Sequence, residues 1–177
     1  EVVGELSGPT SYEEEVVEII TDLLEKGPRD EGADQVSHQD VEWFAWLARA
    51  AASVNMYQEA RELIGRINVA QPSLDDDIYK AKVFTRLAEV NAAFGNESEA
   101  LALFRRALER FDKWAERHPS VSKYLNTIAH TEERVSLAEM VEALVVTCSV
   151  EQVLNLIAAF EQSPWQSIAF NDAAEVL

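Results

Sequence analysis

Cysteine is almost missing from this sequence. Cys148 is the only one among 177 residues, so no disulfide can form within the chain. That favours a reducing compartment, and the expected location is cytoplasmic. Cys148 itself reads as a small buried hydrophobe. Breakers are scarce too, with six glycines and five prolines. Ala, Leu and Glu dominate instead, a mix that favours helix over strand. No apolar run reaches the roughly 18 residues that a membrane span needs. Basic residues number only 15 against 32 acids, a formal charge of -17. Nucleic-acid binding needs basic surface, so no nucleic-acid partner is expected. Anionic membranes are disfavoured for the same reason. Acidity at this level signals solubility and self-repulsion, and it can steer a basic partner. The chain opens on Glu1 rather than Met, so it is read as a processed chain or an excised domain.

Sites for chemistry are also lacking. His38, His118 and His130 lie far apart and form neither H-x-x-x-H nor H-E-x-x-H, with no cysteine pair to complete a zinc site. Asp75-Asp76-Asp77 lacks the alternation, glycine and distal Glu of a calcium loop, and acids suit a helix N-terminus through its dipole. There is no phosphate loop, dinucleotide fingerprint or nucleophile elbow. No catalytic residue, metal or cofactor is expected, and the chain is not read as an enzyme.

The charge that is present is uneven. Residues 1–40 hold twelve acids against Lys26 and Arg29. Residues 81–117 hold seven basic residues against six acids. The acidic part either lies against that basic helix or is simply solvated, the ordinary reading of a charge run.

Helical punctuation recurs along the chain. Ser11-Tyr12-Glu13-Glu14 fits a capping box, followed by Val16, Val17, Ile20, Leu23 and Leu24 at helical spacing. Lys26-Gly27-Pro28 stops that helix. Ser37 to Asp40 opens a second, ending near Asn55, and Tyr57 to Val69 forms a third, closed by Pro72. Ser73 to Asp76 caps a fourth that runs to Phe94 and Gly95, a residue able to take positive φ at low cost. Asn96-Glu97-Ser98-Glu99 caps a long fifth helix, which ends before Pro119. Ser120 to about Thr131 reads as a sixth. Ser136 to Glu139 opens a seventh through a capping box, and Ser149 to Gln162 forms an eighth. Ser163-Pro164-Trp165-Gln166 opens the ninth, with proline at the first helical position.

A shift of forty residues superimposes two of these hairpins. Phe44 falls on Phe84, Leu47 on Leu87, Ala48 on Ala88 and Ala52 on Ala92. Glu59 falls on Glu99, Ala60 on Ala100, Leu63 on Leu103 and Arg66 on Arg106. Asn55 falls on Gly95, two residues that share the helix-ending role. A further shift of 53 matches Leu101 to Leu154, Leu103 to Leu156 and Phe104 to Ile157, with the turn at Cys148-Ser149.

These residues resemble the tetratricopeptide repeat family, whose unit is 34 residues in two antiparallel helices. Counting from Ala81, its pattern is met by Phe84, Leu87, Ala88, Ala100, Phe104 and Ala107. Counting from Val41, it is met by Phe44, Leu47, Ala48, Ala60, Ile64 and Pro72. The chain departs at Ala51 and Asn91, where the family carries Tyr, and at Ile67, where it carries a small residue. The forty-residue spacing also exceeds the family's. The resemblance is good over 41–117, weaker over 136–162 and poor elsewhere.

The resemblance implies an all-α, right-handed α-solenoid of antiparallel hairpins with flanking cap helices. Its divisions would be an N-terminal helix and loop (10–36), repeat 1 (37–72), repeat 2 (73–118), a degenerate repeat 3 (119–162) and a C-terminal cap helix (163–177). In that family the first helix of each unit lines a concave groove. The matching positions here are Glu42, Ala45, Trp46 and Arg49 from one unit, and Lys82, Thr85, Arg86 and Glu89 from the next. Helical periodicity independently puts these on a stripe away from the Phe-Leu-Ala stripe. Lys82-x-x-x-Arg86 resembles half of the family's carboxylate clamp, but Trp46 and Arg49 stand where the clamp's other members belong. An i,i+4 basic pair on a solvated helix is the plainer account of it. An exposed Trp46 would be an interface anchor. The expected function is a protein-interaction module or scaffold holding a peptide or partner segment. The alternatives are a small-ligand or peptide-signal sensor and a structural domain of a larger protein that forms a homo-oligomer.

Overall fold

Two turns forty residues apart have the same backbone. Asn55 takes φ 64° and Gly95 takes φ 76°. Asn55 N–H donates to Ala52 O and Met56 N–H to Ala51 O. Gly95 N–H donates to Ala92 O and Asn96 N–H to Asn91 O. Each is the paired 5→2 and 6→1 bonding that closes a helix on a left-handed residue. The shift of forty thus recurs in three dimensions, at the atoms that stop one helix and start the next. The computed structural model describes residues 12–26, 38–70, 76–122, 125, 131–161 and 163–177.

Among the described residues every regular element is helical. In order these are α1 (Tyr12–Lys26), α2 (His38–Ser53), α3 (Tyr57–Ala70), α4 (Asp77–Ala93), α5 (Glu97–Arg117), the single turn α6 (Pro119–Ser122), α7 (Glu132–Thr147), α8 (Val150–Ala158) and α9 (Gln166–Val176). None is long and apolar enough to cross a membrane.

The packing follows from which faces are apolar. α2 lies on α3, and α4 lies on α5. α2 also packs against α4, α4 against α7, and α7 against α9. α4 therefore has neighbours on three sides, and its sequence reflects this. Ile78, Ala81, Val83, Phe84, Leu87, Ala88 and Val90 are all buried, spread around the helix rather than along one stripe. α5 lies at an edge. Its buried residues Leu103, Phe104, Ala107, Leu108 and Phe111 keep one stripe, with charges opposite. The matched pairs Phe44/Phe84, Leu47/Leu87, Ala48/Ala88, Ala60/Ala100 and Leu63/Leu103 are all buried, and all but Ala100 belong to one continuous core. Arg66 lies over the Phe44 ring at 5.6 Å and Arg106 over the Phe84 ring at 4.1 Å, so the repeat extends to a cation–π contact.

The expected third hairpin keeps part of the core and loses the turn, and α7 packs more on α9 than on α8. Leu156 and Ile157 are buried as Leu103 and Phe104 are, but Leu154 is exposed. Cys148 sits at the turn with φ -114° and so lacks the left-handed closure of the first two. It is half-buried rather than buried outright. Burial pushes its thiol pKa up, and the nearby charge of Glu97 adds to that.

Polar ties join the elements. Asp76 caps α4 through Ile78 and Tyr79 N–H, while Asp77 is buried and pairs with Arg110 and Arg117 at the far end of α5. Two of the three consecutive acids thus have structural roles. Asp112 accepts hydrogen bonds from Ser163 Oγ and from Trp165 Nε1, the latter at 3.0 Å. Trp165 is fully buried, edge-on to Phe111 at 5.9 Å, and fastens the chain ahead of α9 to α5. Arg134 makes two bonds to Asp172, at 2.8 and 2.6 Å, tying α7 to α9. α1 packs on α2 through Ile20 rather than on the basic α5, and its acids Glu15, Glu18 and Asp22 face outward.

Several expected helix starts move. α7 begins at Glu132, four residues before Ser136. Thr131 is its cap, accepting from Arg134 N–H, and Ser136 is an interior residue whose hydroxyl bonds Glu132 O. Two acids in the first turn favour the earlier start. Asn96 precedes α5 without a side-chain cap bond. Pro164 lies in a turn before α9, which Trp165 rather than Ser163 precedes. α8 follows Ser149 as expected, and Ser149 and Gln152 form a capping box there. Between Ser120 and Thr131 only the turn to Ser122 and the single residue Leu125 are described. Ser11, Ser37, Ser73 and the stop at Gly27-Pro28 lie outside the described residues.

Candidate partner-binding surface

The packing of α2, α4 and α7 side by side brings most of the expected site residues onto one face. Glu42, Trp46 and Arg49 come from α2, at successive turns. Lys82, Arg86 and Glu89 come from α4. The sequence reading did not include α7, which adds Glu132, Ser136, Glu139 and Met140. These are spaced four, three and one apart and so share a face once the helix starts at Glu132. The acids at positions 132 and 133, next to Thr131, were the signal that would have placed that start.

The charged side chains spend themselves on one another. Arg49 Nε lies 2.9 Å from Glu89 Oε1. Glu89 Oε2 accepts from Arg86 at 3.0 Å, and Arg86 reaches Glu139 on α7 at 3.3 Å. Lys82 Nζ donates to Glu132 at 2.8 Å and lies 4.0 Å from Glu42. Two ladders therefore run across the face, Arg49–Glu89–Arg86–Glu139 and Glu42–Lys82–Glu132. Partly exposed pairs of this kind contribute about 0–1 kcal/mol each, so they fix geometry more than stability. Burial works against the charge on Lys82, but the bond to Glu132 and the fields of Glu42 and Glu132 outweigh it and leave its pKa raised. Tyr79, beside it, is raised by burial and then by Glu42.

Three expectations are corrected here. Lys82 and Arg86 are neither a free half-clamp nor a solvated pair. Both are largely covered and each is held by a carboxylate of α7. Thr85 is 2 % exposed, and its hydroxyl donates to Ala81 O in its own helix, so it offers a partner nothing polar. Ala45 is buried in the core. Burial of both follows from α4 and α2 packing directly against each other, which closes the strip between them.

Trp46 is the exception. It is 52 % exposed, whereas its neighbour Trp43 is partly buried edge-on against Phe44 at 5.5 Å. The cleft lined by Ala45, Thr85, Ser136 and Met140 beneath the ladders holds about 10 Å³. That is space for about one water molecule. The face is therefore shallow, nearly balanced in charge, and marked by one protruding indole. No family model, no curated protein and no solved structure matches this chain.

Proposed function

We propose that the chain is a helical-repeat scaffold of the tetratricopeptide kind, a solenoid in which α2/α3, α4/α5 and α7/α8 are successive units and α1 and α9 cap the ends. The equal turns at Asn55 and Gly95 and the α2–α4–α7–α9 succession support it. Each unit has a second apolar face that only a neighbour can cover. On this reading the protein is an interaction module. Its α2–α4–α7 face receives a peptide or partner segment. The observation that carries the reading is Trp46. A side chain of that size left half in water, beside a fixed ladder of charges, is the type of residue that dominates interface energies.

Recognition would then work by shape and one anchor. The indole supplies apolar area, while Arg49 and Glu42 at its sides are partly exposed and present one charge of each sign. The small volume of the cleft gives a small-ligand sensor nothing to favour it on this face. The test is affinity capture, followed by direct titration of the captured partner against Trp46→Ala. The expected loss is about 30-fold or more, the range of an aromatic anchor. Unchanged affinity would remove the assignment. A species that doubles in mass with concentration, and does so only when Trp46 is intact, would make the partner a second copy.

A further inference from the structure

Two adjacent, exposed arginines of this acidic protein line a cleft between α5 and α8. Leu101, Ala102, Arg105 and Arg106 line it from α5, and Gln152, Asn155 and Leu156 from α8, around about 520 Å³. A second hollow of about 240 Å³ shares Leu101 and Gln152 with it and continues to Glu97 and the α7–α8 turn. These helices contribute nothing to the α2–α4–α7 face. The wider cleft has an apolar floor and two arginines with no acid in its lining, on a chain whose formal charge is -17. Among the described residues neither arginine has a carboxylate partner. Arg106 is held in place by the Phe84 ring at 4.1 Å, which positions the guanidinium without neutralising it.

The repeat supplies an internal comparison. Forty residues earlier, Arg66 stacks on Phe44 in the same way, but there Glu62 pairs with it at 3.1 Å. The residue matching Glu62 is Ala102, and the residue matching Arg105 is Gly65. Unit 2 thus lacks the acid that satisfies the stacked arginine in unit 1 and carries a second arginine beside it. The scaffold is indifferent to both changes, because Glu62, Gly65, Ala102 and Arg105 are all exposed.

We propose that the α5–α8 cleft is a second binding site, and that its occupant is an acidic peptide segment carrying an apolar side chain. The carboxylates face Arg105 and Arg106, and the apolar group rests on Leu101 and Leu156. From Glu97 to Arg106 the two hollows span about 14 Å of helix, at about 1.5 Å per residue. That length accommodates a short extended segment of about four residues. Glu97 at the opposite end repels acids and sets the direction in which the segment lies.

The site stands apart from the Trp46 face, and its test separates the two. The protein is panned against a phage-displayed library of random peptides, and affinities of the enriched peptides are measured by fluorescence polarisation. Enriched peptides should combine Asp or Glu with Leu, Ile or Phe. They should bind about tenfold or more weakly to the double variant Ala102→Glu with Arg105→Ala, which restores the acid found in unit 1. They should bind Trp46→Ala as they bind the unaltered protein. Both substituted positions are exposed, and unchanged circular dichroism checks that the variant is folded. Failure to enrich acidic peptides, or equal affinity for the double variant, overturns the proposal. Peptides that depend on Trp46 instead also overturn it, while leaving the first face standing.

Discussion

At the scale of single residues, the side chains that matter most are polar groups enclosed by apolar ones. Trp165 is fully buried, and its indole N–H has one partner, Asp112, 53 residues earlier in the chain. Asp112→Ala leaves that donor buried and unmet, with an expected cost of about 1–3 kcal/mol in urea unfolding. Asp112→Asn keeps an acceptor oxygen and should cost clearly less. Equal losses for the two would mean that the bond to Trp165 is not what Asp112 supplies. Lys82 gives a pH dependence at the same scale. Its folded pKa is raised, so its contribution is complete below the unfolded value of about 10.4 and is lost as pH rises through the folded value. Removing the acceptor by Glu132→Gln should therefore flatten the alkaline end of the stability profile and leave the acid end to the other carboxylates. Nuclear magnetic resonance titration of the Lys82 Cε signal should show its midpoint move down in the same variant. Neither relation was legible in the sequence. Asp112 and Trp165 carry no mark of their pairing across 53 residues. Lys82 and Arg86 looked like a free basic pair because Glu132 and Glu139 lie on α7, whose start was misplaced by four residues, while Glu42 lies on α2 and Glu89 one turn along α4.

At the scale of elements, the hairpins were the legible part. Their signals are local. A Phe-Leu-Ala stripe sets the buried face, and a residue that tolerates positive φ ends the first helix. Both recur at a fixed spacing, and the structure places Asn55 and Gly95 in the expected conformation. Helix starts were less legible, because Ser is frequent and serves equally as a cap or as an interior residue bonded to its own helix. Ser149 is the first kind and Ser136 the second. Two glycines test the same distinction between position and composition. A Cβ at Gly65 or at Gly95 would meet nothing within 4 Å, so neither substitution is opposed by packing. Gly65 lies inside α3, where alanine restricts the unfolded chain and suits the helix. Gly65→Ala should stabilise by about 0.5–1 kcal/mol. Gly95 sits at φ 76°, where a Cβ meets its own backbone. Gly95→Ala should destabilise by about 1–2 kcal/mol. The pair is read by chemical denaturation, and the prediction is the opposite sign. Two changes of the same sign would mean that the α4–α5 turn relaxes away from the left-handed conformation.

At the scale of the whole molecule, the order of contacts predicts where unfolding begins. α1 leans on α2 through a small apolar contact, Ile20 with help from Leu24, and exposes Ile19 and its acids. α4 is covered by α2, α5 and α7, and α5 adds the ties from Asp77 and Asp112. In a row of units held by nearest neighbours, an end unit loses one interface on opening and a central one loses two. Local opening should therefore cost least at α1 and most along α4 and α5. The far end should not mirror the near one, because α9 is fastened to α7 by Arg134–Asp172 and to α5 through Trp165. Hydrogen exchange followed by mass spectrometry resolves these segments. The expected order is α1 first, then α2 and α3, with α4 and α5 last and α9 slower than α1 by about tenfold or more, since about 1.4 kcal/mol of opening energy is a factor of ten. One shared exchange rate across all helices would show instead that the chain opens as a single block, and the row of semi-independent units would be the wrong description.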